Sequence, residues 1–497
     1  MKRLIVVIIL SLSLCVTLAA QTAAQKYVQQ LRTTDELKES VWGIKAVKLS
    51  GEVLADYCST TRMVPASNVK VFTTGLALSE LGSDHRLKTT LAYTGSIVDG
   101  TLKGDLYIVG GGDPTIGARD SVATPLQTTF SRWEKIIKDA GIKRIDGRIV
   151  GDGRYLDCEP QNHSWQLEDA ASGDGTMMTG LSFGGGLQAF TVSSGTSVGA
   201  PVKVNPVFPD TPWMSWRNTC RTSPAGTAQD LYYDCTDLAP VASMTGTLPM
   251  GVKEKRITCT NPFGAMTCAY YFYKYLEAKG FDVAQGPADV DPQGFIRDFE
   301  DDGGKAATDL KAIGVTLSPA LKDIVRQTNA HSDNFYAEAL LRAMAREKTG
   351  SACFDSCQTA RQRAFERLGV SGSSRMQFYD GSGLSRKDYV SPDFFVRFLT
   401  AMHSSKEYAA FRSSLPQAGT GTLASRLASA PASTRSRVFM KSGSMNGVRC
   451  FCGYILPSGS SQDDTIVFSI MTNNTVVASS RINFIMDKLI TLLAEEN

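Results

Sequence analysis

The sequence predicts an α+β protein in which one discontinuous domain, residues 27–84 and 296–497, is interrupted by a long, mostly β insert. Three observations carry this. Apolar helical runs stand before and after the middle of the chain; from about 85 to 295 the pattern changes to short strands separated by Gly, Pro and Asp turns. The last 60 or so residues return to strands and close on an amphipathic helix. The 497 residues also exceed what a single hydrophobic core organises.

In chain order, Lys2 and Arg3, an apolar run over residues 4–14 and the small residues Ala19, Ala20, Ala23 and Ala24 form an export signal over residues 1–24. That run is too short to span a bilayer, and no later apolar segment approaches about 20 residues, so the mature chain is expected to be soluble in the periplasm or otherwise outside the cytoplasm. Cys15 is a poor lipidation candidate, because Leu14 before it fits that processing signal badly.

A helix is expected after residue 27, a strand over 41–49 and an apolar helix over 67–81. Residues 104–109 read as a strand followed by a Gly-rich turn over 110–114. The Trp, Pro and Cys content of residues 157–255 marks a second insert nested in the first, which leaves 85–156 and 256–295 as the inserted domain. Ser318-Pro319 is a suitable cap and first-turn pair for a helix over 320–330, and a second helix is expected over 335–347. Strands follow over 438–441, 448–456 and 465–472. The closing helix carries Ile482, Ile485, Met486, Leu489, Leu492 and Leu493 on one stripe, suited to packing on the preceding strands.

Charged residues make up 20% of the chain and the formal net charge is +3, which gives no case for a nucleic-acid partner. Of eleven cysteines, ten follow the export signal, and an even number in an exported chain suggests structural disulfides. Cys353 with Cys357, Cys220 with Cys235 and Cys259 with Cys268 are near enough in sequence to pair, although spacing does not fix connectivity. Zinc is the rival use of cysteine. The four histidines, His85, His163, His331 and His403, are scattered, so no metal and no cofactor is expected.

Three short segments carry chemistry. In Val64-Pro65-Ala66-Ser67-Asn68-Val69-Lys70, the proline holds the approach extended and a buried helix begins near Ser67, so Ser67 and Lys70 share a face at i and i+3. A serine hydroxyl becomes nucleophilic when a base accepts its proton, and desolvation can make a lysine that base. Ser332-Asp333-Asn334 occupies the break between two helices, where it can point a hydroxyl and an amide into a cleft or simply cap the second helix. Lys441-Ser442-Gly443 lies on a strand and leads through Ser444 to a paired strand. A cation and a hydroxyl on a strand edge suit a terminal carboxylate, and the glycine admits a substrate backbone.

In this order, Ser-x-x-Lys, Ser-Asp-Asn and Lys-Ser-Gly match the active-site set shared by class A β-lactamases and penicillin-binding proteins. Further segments sharpen the likeness: Gly104 to Gly112 with Asp113-Pro114, Asp380-Gly381-Ser382-Gly383-Leu384-Ser385-Arg386, Leu415-Pro416 with Gly419, and Gly443-Ser444-Met445-Asn446-Gly447-Val448. The chain resembles the low-molecular-mass class C penicillin-binding proteins, the D-alanyl-D-alanine carboxypeptidase/endopeptidase family, over essentially its whole mature length. The 265 positions from Ser67 to Ser332 leave room for that family's double insert.

The resemblance implies a β-lactamase/transpeptidase-like domain built on a five-stranded antiparallel sheet flanked by helices. It implies peptidoglycan stem peptides ending in D-Ala-D-Ala, or cross-linked through it, as substrates, and β-lactams as inhibitors. Ser67 would be the nucleophile, Lys70 its base and Ser332 a proton relay. Asn334 would hold the substrate amide, Lys441 and Ser442 its carboxylate, and the backbone of Ser67 and Ser444 the oxyanion. Two positions depart from the pattern: Ser442 replaces the usual threonine, and Asn446 stands where some relatives have glutamine. Asp169, after Trp165, and Arg386 are further candidates for positioning the substrate. A β-lactamase using the same nucleophile, or a β-lactam sensor without turnover, remains open at this point.

Three decoys are set aside. Lys348-Thr349-Gly350 reads as a helix C-terminus. Residues 195–199 fit a hydrolase elbow but lack the helix it requires, and residues 110–117 are glycine-rich without a helix to hold a phosphate.

Overall fold

The computed structural model describes residues 21–496 except Arg32, Asp35, Glu36, Glu300 and Asp301. The expected export signal up to Ala20, with Cys15, lies outside the described residues; Ala23 and Ala24, the last residues of that expectation, belong to a helix over Ala23–Leu31. The described residues form two compact units, one made of residues 21–63, 390–400 and 417–496, the other of 64–389 and 401–416.

The first unit is organised by a five-stranded antiparallel sheet. Its strands are β1 (Val41–Lys48), β2 (Val53–Tyr57), β3 (Val438–Met445), β4 (Val448–Ile455) and β5 (Ile466–Asn473), in the order β2-β1-β5-β4-β3. A strand near the start of the described chain and one near its end are thus hydrogen-bonded neighbours, with Ile44 opposite Ile470. Every residue of β5 is buried, and the strand reads as an almost unbroken apolar run because both faces of the sheet are covered. Helix Ser479–Glu495 buries Ile482, Ile485, Met486, Leu489 and Leu493 in the same core as Phe451 and Phe468, as the sequence stripe required. Leu492 is only partly buried at its margin.

The second unit holds four helices that bear on the site: α1 (Val69–Leu81), α2 (Leu321–His331), α3 (Asn334–Thr349) and α4 (Phe354–Arg367). All residues of α1 from Val69 to Leu78 are buried, so a lysine within it lies in an apolar setting. Helix α2 begins one residue later than expected, with Ala320 at the cap. Ser318 is not the cap, because its hydroxyl is committed to the Leu87 N–H and the Pro319 carbonyl. Gly350 ends α3 in the left-handed conformation, which makes Lys348-Thr349-Gly350 a helix terminus as read.

The rest of this unit is mostly β. A seven-stranded mixed sheet joins Lys88–Tyr93, Leu106–Gly110 and Ile149–Asp152 to four strands between residues 288 and 317. Helices Leu126–Asp139 and Gly264–Ala278 share its core, where Trp133 meets Phe272 edge-on at 5.2 Å. Between residues 187 and 260, a three-stranded and a four-stranded sheet enclose a separate core of Phe190, Val192, Met244 and Leu248.

The expected disulfides are a correction. All ten cysteines among the described residues are free thiols. For two of the three pairs the packing gives the reason: sequence neighbours enter different cores. Cys259 lies with Phe190 and Cys268 with Phe272, while Cys220 is enclosed beside Met244 and Cys235 packs against Phe263 and Met266. Six of the ten are buried, where cysteine acts as a small apolar residue.

Phe468 is fully buried in the middle of the five-stranded sheet. Phe468→Ala is expected to lower the unfolding free energy by about 3–5 kcal/mol, read from urea denaturation. A loss under about 1 kcal/mol would contradict this packing.

Candidate active site

The segment Ala66–Asn68 is a 3₁₀ turn that passes directly into α1. Ala66 has φ 47°, a left-handed conformation costly for a residue with a Cβ, and the turn brings Ser67 onto the face that Lys70 occupies. Ser67 stays half-buried, while Lys70 is fully enclosed. Lys70 Nζ lies 3.0 Å from Ser67 Oγ. It also lies 2.6 Å from Asn334 Oδ1 and 2.6 Å from the carbonyl oxygen of Ser382.

This geometry defines the proton arrangement. A neutral amine has two N–H bonds and one lone pair; Asn334 Oδ1 and Ser382 O can only accept, so they take the two N–H bonds. In that neutral form the lone pair is left toward the Ser67 hydroxyl and can take its proton, whereas the ammonium form donates to Ser67 Oγ as it does to the other two oxygens. Burial lowers the Lys70 pKa to about 8, against the opposing pull of Asp380, Asp333, Glu338 and Asp174, each of which raises it.

Ser332 sits between α2 and α3 with φ 58°, and its N–H returns to the Thr328 carbonyl. Asp333 is the N-cap of α3, accepting from the Tyr336 N–H at 2.9 Å, so the cap reading and the cleft reading of this motif hold together. Asn334 has both ends of its amide engaged: Oδ1 by Lys70, and Nδ2 donating to the Asp174 carbonyl at 2.8 Å. It thus holds Lys70 in this structure.

Around this pair is a shell that local pattern did not reveal. Glu338 Oε1 accepts the N–H groups of Gly381 and Ser382, at 2.8 and 2.9 Å. Asp380 accepts from Gly383 N and Ser385 N, each at 2.7 Å, and from the indole of Trp165 at 2.9 Å. Thr73, one turn beyond Lys70, donates to the Gly381 carbonyl at 2.6 Å. One signal could have found Glu338: it lies one turn after Asn334, a carboxylate on a helix whose neighbouring positions are Ala and Leu.

The two positioning candidates fall in one neighbourhood. Asp169 is on the short helix Leu167–Ala170, its pKa raised by burial, then by Glu168 and Asp174, and lowered by Arg386. Arg386 donates to Gln166 Oε1 at 2.8 Å. The third motif belongs to the first unit. On β3, Lys441 is fully buried opposite Cys452, and its Nζ donates to the Ser442 carbonyl at 2.7 Å. Ser442 Oγ meets Thr422 Oγ1 at 3.3 Å, Gly443 pairs with Cys450, and the exposed Ser444 accepts from Arg449. Asn446 and Gly447 form the two-residue turn of the β3–β4 hairpin, the tight-turn role an Asn-Gly pair commonly has. Among the described residues, no group of three His, Cys, Asp or Glu is arranged to hold a metal ion.

The sequence matches the D-Ala-D-Ala carboxypeptidase 3 (S13) family over residues 24–495. A D-alanyl-D-alanine carboxypeptidase of an Actinomadura species is 27% identical over 467 residues, covering 92% of this chain and 82% of the relative. The D-alanyl-D-alanine carboxypeptidase DacB of Haemophilus influenzae is 24% identical over 417 residues, covering 81% and 80%. Among solved structures, penicillin-binding protein 4 of Haemophilus influenzae aligns with a TM-score of 0.77 at 21% identity, over 95% of this chain and 99% of that one. That likeness concerns the fold, and it agrees with the α+β class and the transpeptidase-like sheet.

A Cβ at Gly383 would lie 2.0 Å from the Ala66 carbonyl oxygen, just before the Ser67 turn, whereas one at Gly369 would meet nothing within 4 Å. Both glycines have positive φ. Gly369→Ala is therefore expected to cost about 1–2 kcal/mol from backbone strain alone. Gly383→Ala should cost at least about twice that in the same denaturation measurement, because the turn must also move.

Proposed function

We propose that this chain, which belongs to the D-Ala-D-Ala carboxypeptidase 3 (S13) family, is a serine-type peptidase that removes or cleaves behind D-alanine in peptidoglycan peptides through an acyl-enzyme. The observation that carries the reading is the Lys70 amine, 3.0 Å from Ser67 Oγ with its other two directions taken by carbonyl oxygens. Such an amine is a base for one hydroxyl and for nothing else nearby.

Ser67 passes its proton to Lys70 as Oγ attacks the carbonyl of the penultimate D-alanine. The C–N bond to the leaving D-alanine, or to a cross-linked D-amino acid, then breaks, and Ser332 relays a proton to the departing amine. Water attacks the ester and frees Ser67. The backbone N–H groups of Ser67 and Ser444 receive the oxyanion, each worth about 3 kcal/mol. Lys441 and Ser442 receive the terminal carboxylate, Gly443 the substrate backbone, and Asn446, Arg386 and Asp169 further parts of the peptide. What supports these later roles is motif order and family membership. Asn334 acts first by holding Lys70. β-Lactams acylate the same serine and leave it slowly.

The domain division proposed for this chemistry keeps residues 27–84 and 296–497 as the catalytic domain, with 85–156 and 256–295 inserted and 157–255 nested within. The two sheets between residues 187 and 260 support a nested part, with strand Lys255–Thr260 carrying its sheet past the expected boundary at 255. The enzyme works outside the cytoplasm; no helix among the described residues is long and apolar enough to cross a membrane.

Muropeptides incubated with the protein and resolved by mass are expected to lose D-alanine, and cross-linked dimers to fall to monomers. Ser67→Ala should reduce both by at least about a thousandfold. Steady β-lactam turnover without any D-alanine release would make the protein a β-lactamase instead. The rate should climb with pH through about 8, because the ammonium form of Lys70 has no lone pair and the amine has one. A rate that falls across that range would exclude Lys70 as the base.

A further inference from the structure

Two buried carboxylates, Asp380 and Glu338, meet beneath the Ser67–Lys70 pair with no route to a substrate, being 1% exposed each. We propose that they are positioning residues for acyl transfer, holding the 381–385 turn so that the Ser382 carbonyl and the Gly383 backbone fix Lys70 and the nucleophile turn. The role presupposes the Ser67–Lys70 chemistry proposed above and deepens it.

Four backbone N–H groups of one five-residue turn end on these two side chains: Gly381 and Ser382 on Glu338, Gly383 and Ser385 on Asp380. Such saturation is how a carboxylate fixes a loop whose carbonyls must point elsewhere. The carbonyls freed by this arrangement reach the reactive helix: Ser382 O accepts from Lys70, and Gly381 O from Thr73. Gly383 lies against the Ala66 carbonyl so closely that no side chain fits. The 381–385 turn therefore grips the nucleophile turn at Ala66 and α1 at Lys70 and Thr73.

The carboxylates are in turn held from behind. Trp165 donates to Asp380, and Arg361 donates to the Asp380 carbonyl at 2.6 Å. Burial, and then Asp380, push the Asp388 carboxyl well above the usual carboxylate range. Arg342 lies in the field of Glu338. The charged groups facing Lys70 are then Asp380 from the turn, Glu338 and Asp333 from α3 and its cap, and Asp174 from the loop behind Asn334. Each raises the Lys70 pKa against burial, which lowers it. The two carboxylates thus fix both where Lys70 is and over what pH it can accept a proton.

The test uses the full-length protein, with D-alanine release from a D-Ala-D-Ala peptide followed across pH. Asp380→Asn is expected to lower kcat at least about tenfold with little change in KM, and to move the acid limb of the profile down by about one pH unit, since a charge that favoured the ammonium is gone. Glu338→Gln keeps a carbonyl oxygen for Gly381 and Ser382, and should stay within about threefold of the parent, while Glu338→Ala should lose at least about tenfold. If Asp380→Asn does not fold, the Glu338 pair decides alone. A folded Asp380→Asn whose acid limb stays at the parent pH, or a Glu338→Gln as damaged as Glu338→Ala, overturns the positioning role. Full activity in Ser67→Ala overturns the Ser67 chemistry and this role with it, whereas an inactive Ser67→Ala beside an unmoved limb overturns the positioning role only.

Discussion

A lysine sealed from water beside a serine hydroxyl sets the terms for its surroundings. Removing an ammonium from water is costly, and the interior can respond by neutralising it or by surrounding it with acceptors and negative charge. Here both happen in part. The apolar length of α1 excludes water, two carbonyl oxygens take the N–H bonds, and four acidic groups stand at a distance that raises the pKa without pairing directly. The result is an amine that holds and releases a proton near physiological pH, which a solvent-exposed lysine does not do.

That balance needs a rigid frame, and the strain in the backbone shows where rigidity is concentrated. Two non-glycine residues with positive φ, Ala66 and Ser332, immediately precede the Ser67 turn and Asp333-Asn334. Left-handed conformations of this kind persist where the surroundings over-determine them. Ala66 is held against Gly383, and Ser332 is held by its N–H bond to Thr328 and by the Asp333 cap that follows. Strain, close approach and buried carboxylates converge on one helix turn.

Much of this was legible in the sequence wherever the information was local. Ser67 and Lys70 needed only helical periodicity, the closing strands needed only apolar runs, and the Gly350 terminus needed only glycine's freedom at positive φ. What stayed hidden was tertiary. Trp165 and Asp174 reach the site from places that no spacing rule connects, and the Asp380 segment could be noticed without showing what it holds. The cysteines misled for the same reason: pairs close in sequence were delivered to different cores. Asn334 carries a related lesson, since its residue type fits a substrate amide, yet its geometry commits it to Lys70 and Asp174.

The account rests on the proton at residue 70, and this can be observed directly. Following the side-chain carbon resonance of isotopically labelled lysine through a pH titration, with the Lys70 signal assigned by its loss in Lys70→Arg, should give a midpoint of about 8. A midpoint at the ordinary lysine value of 10.5 would mean that the amine stays charged and cannot accept the serine proton, and the mechanism would not stand.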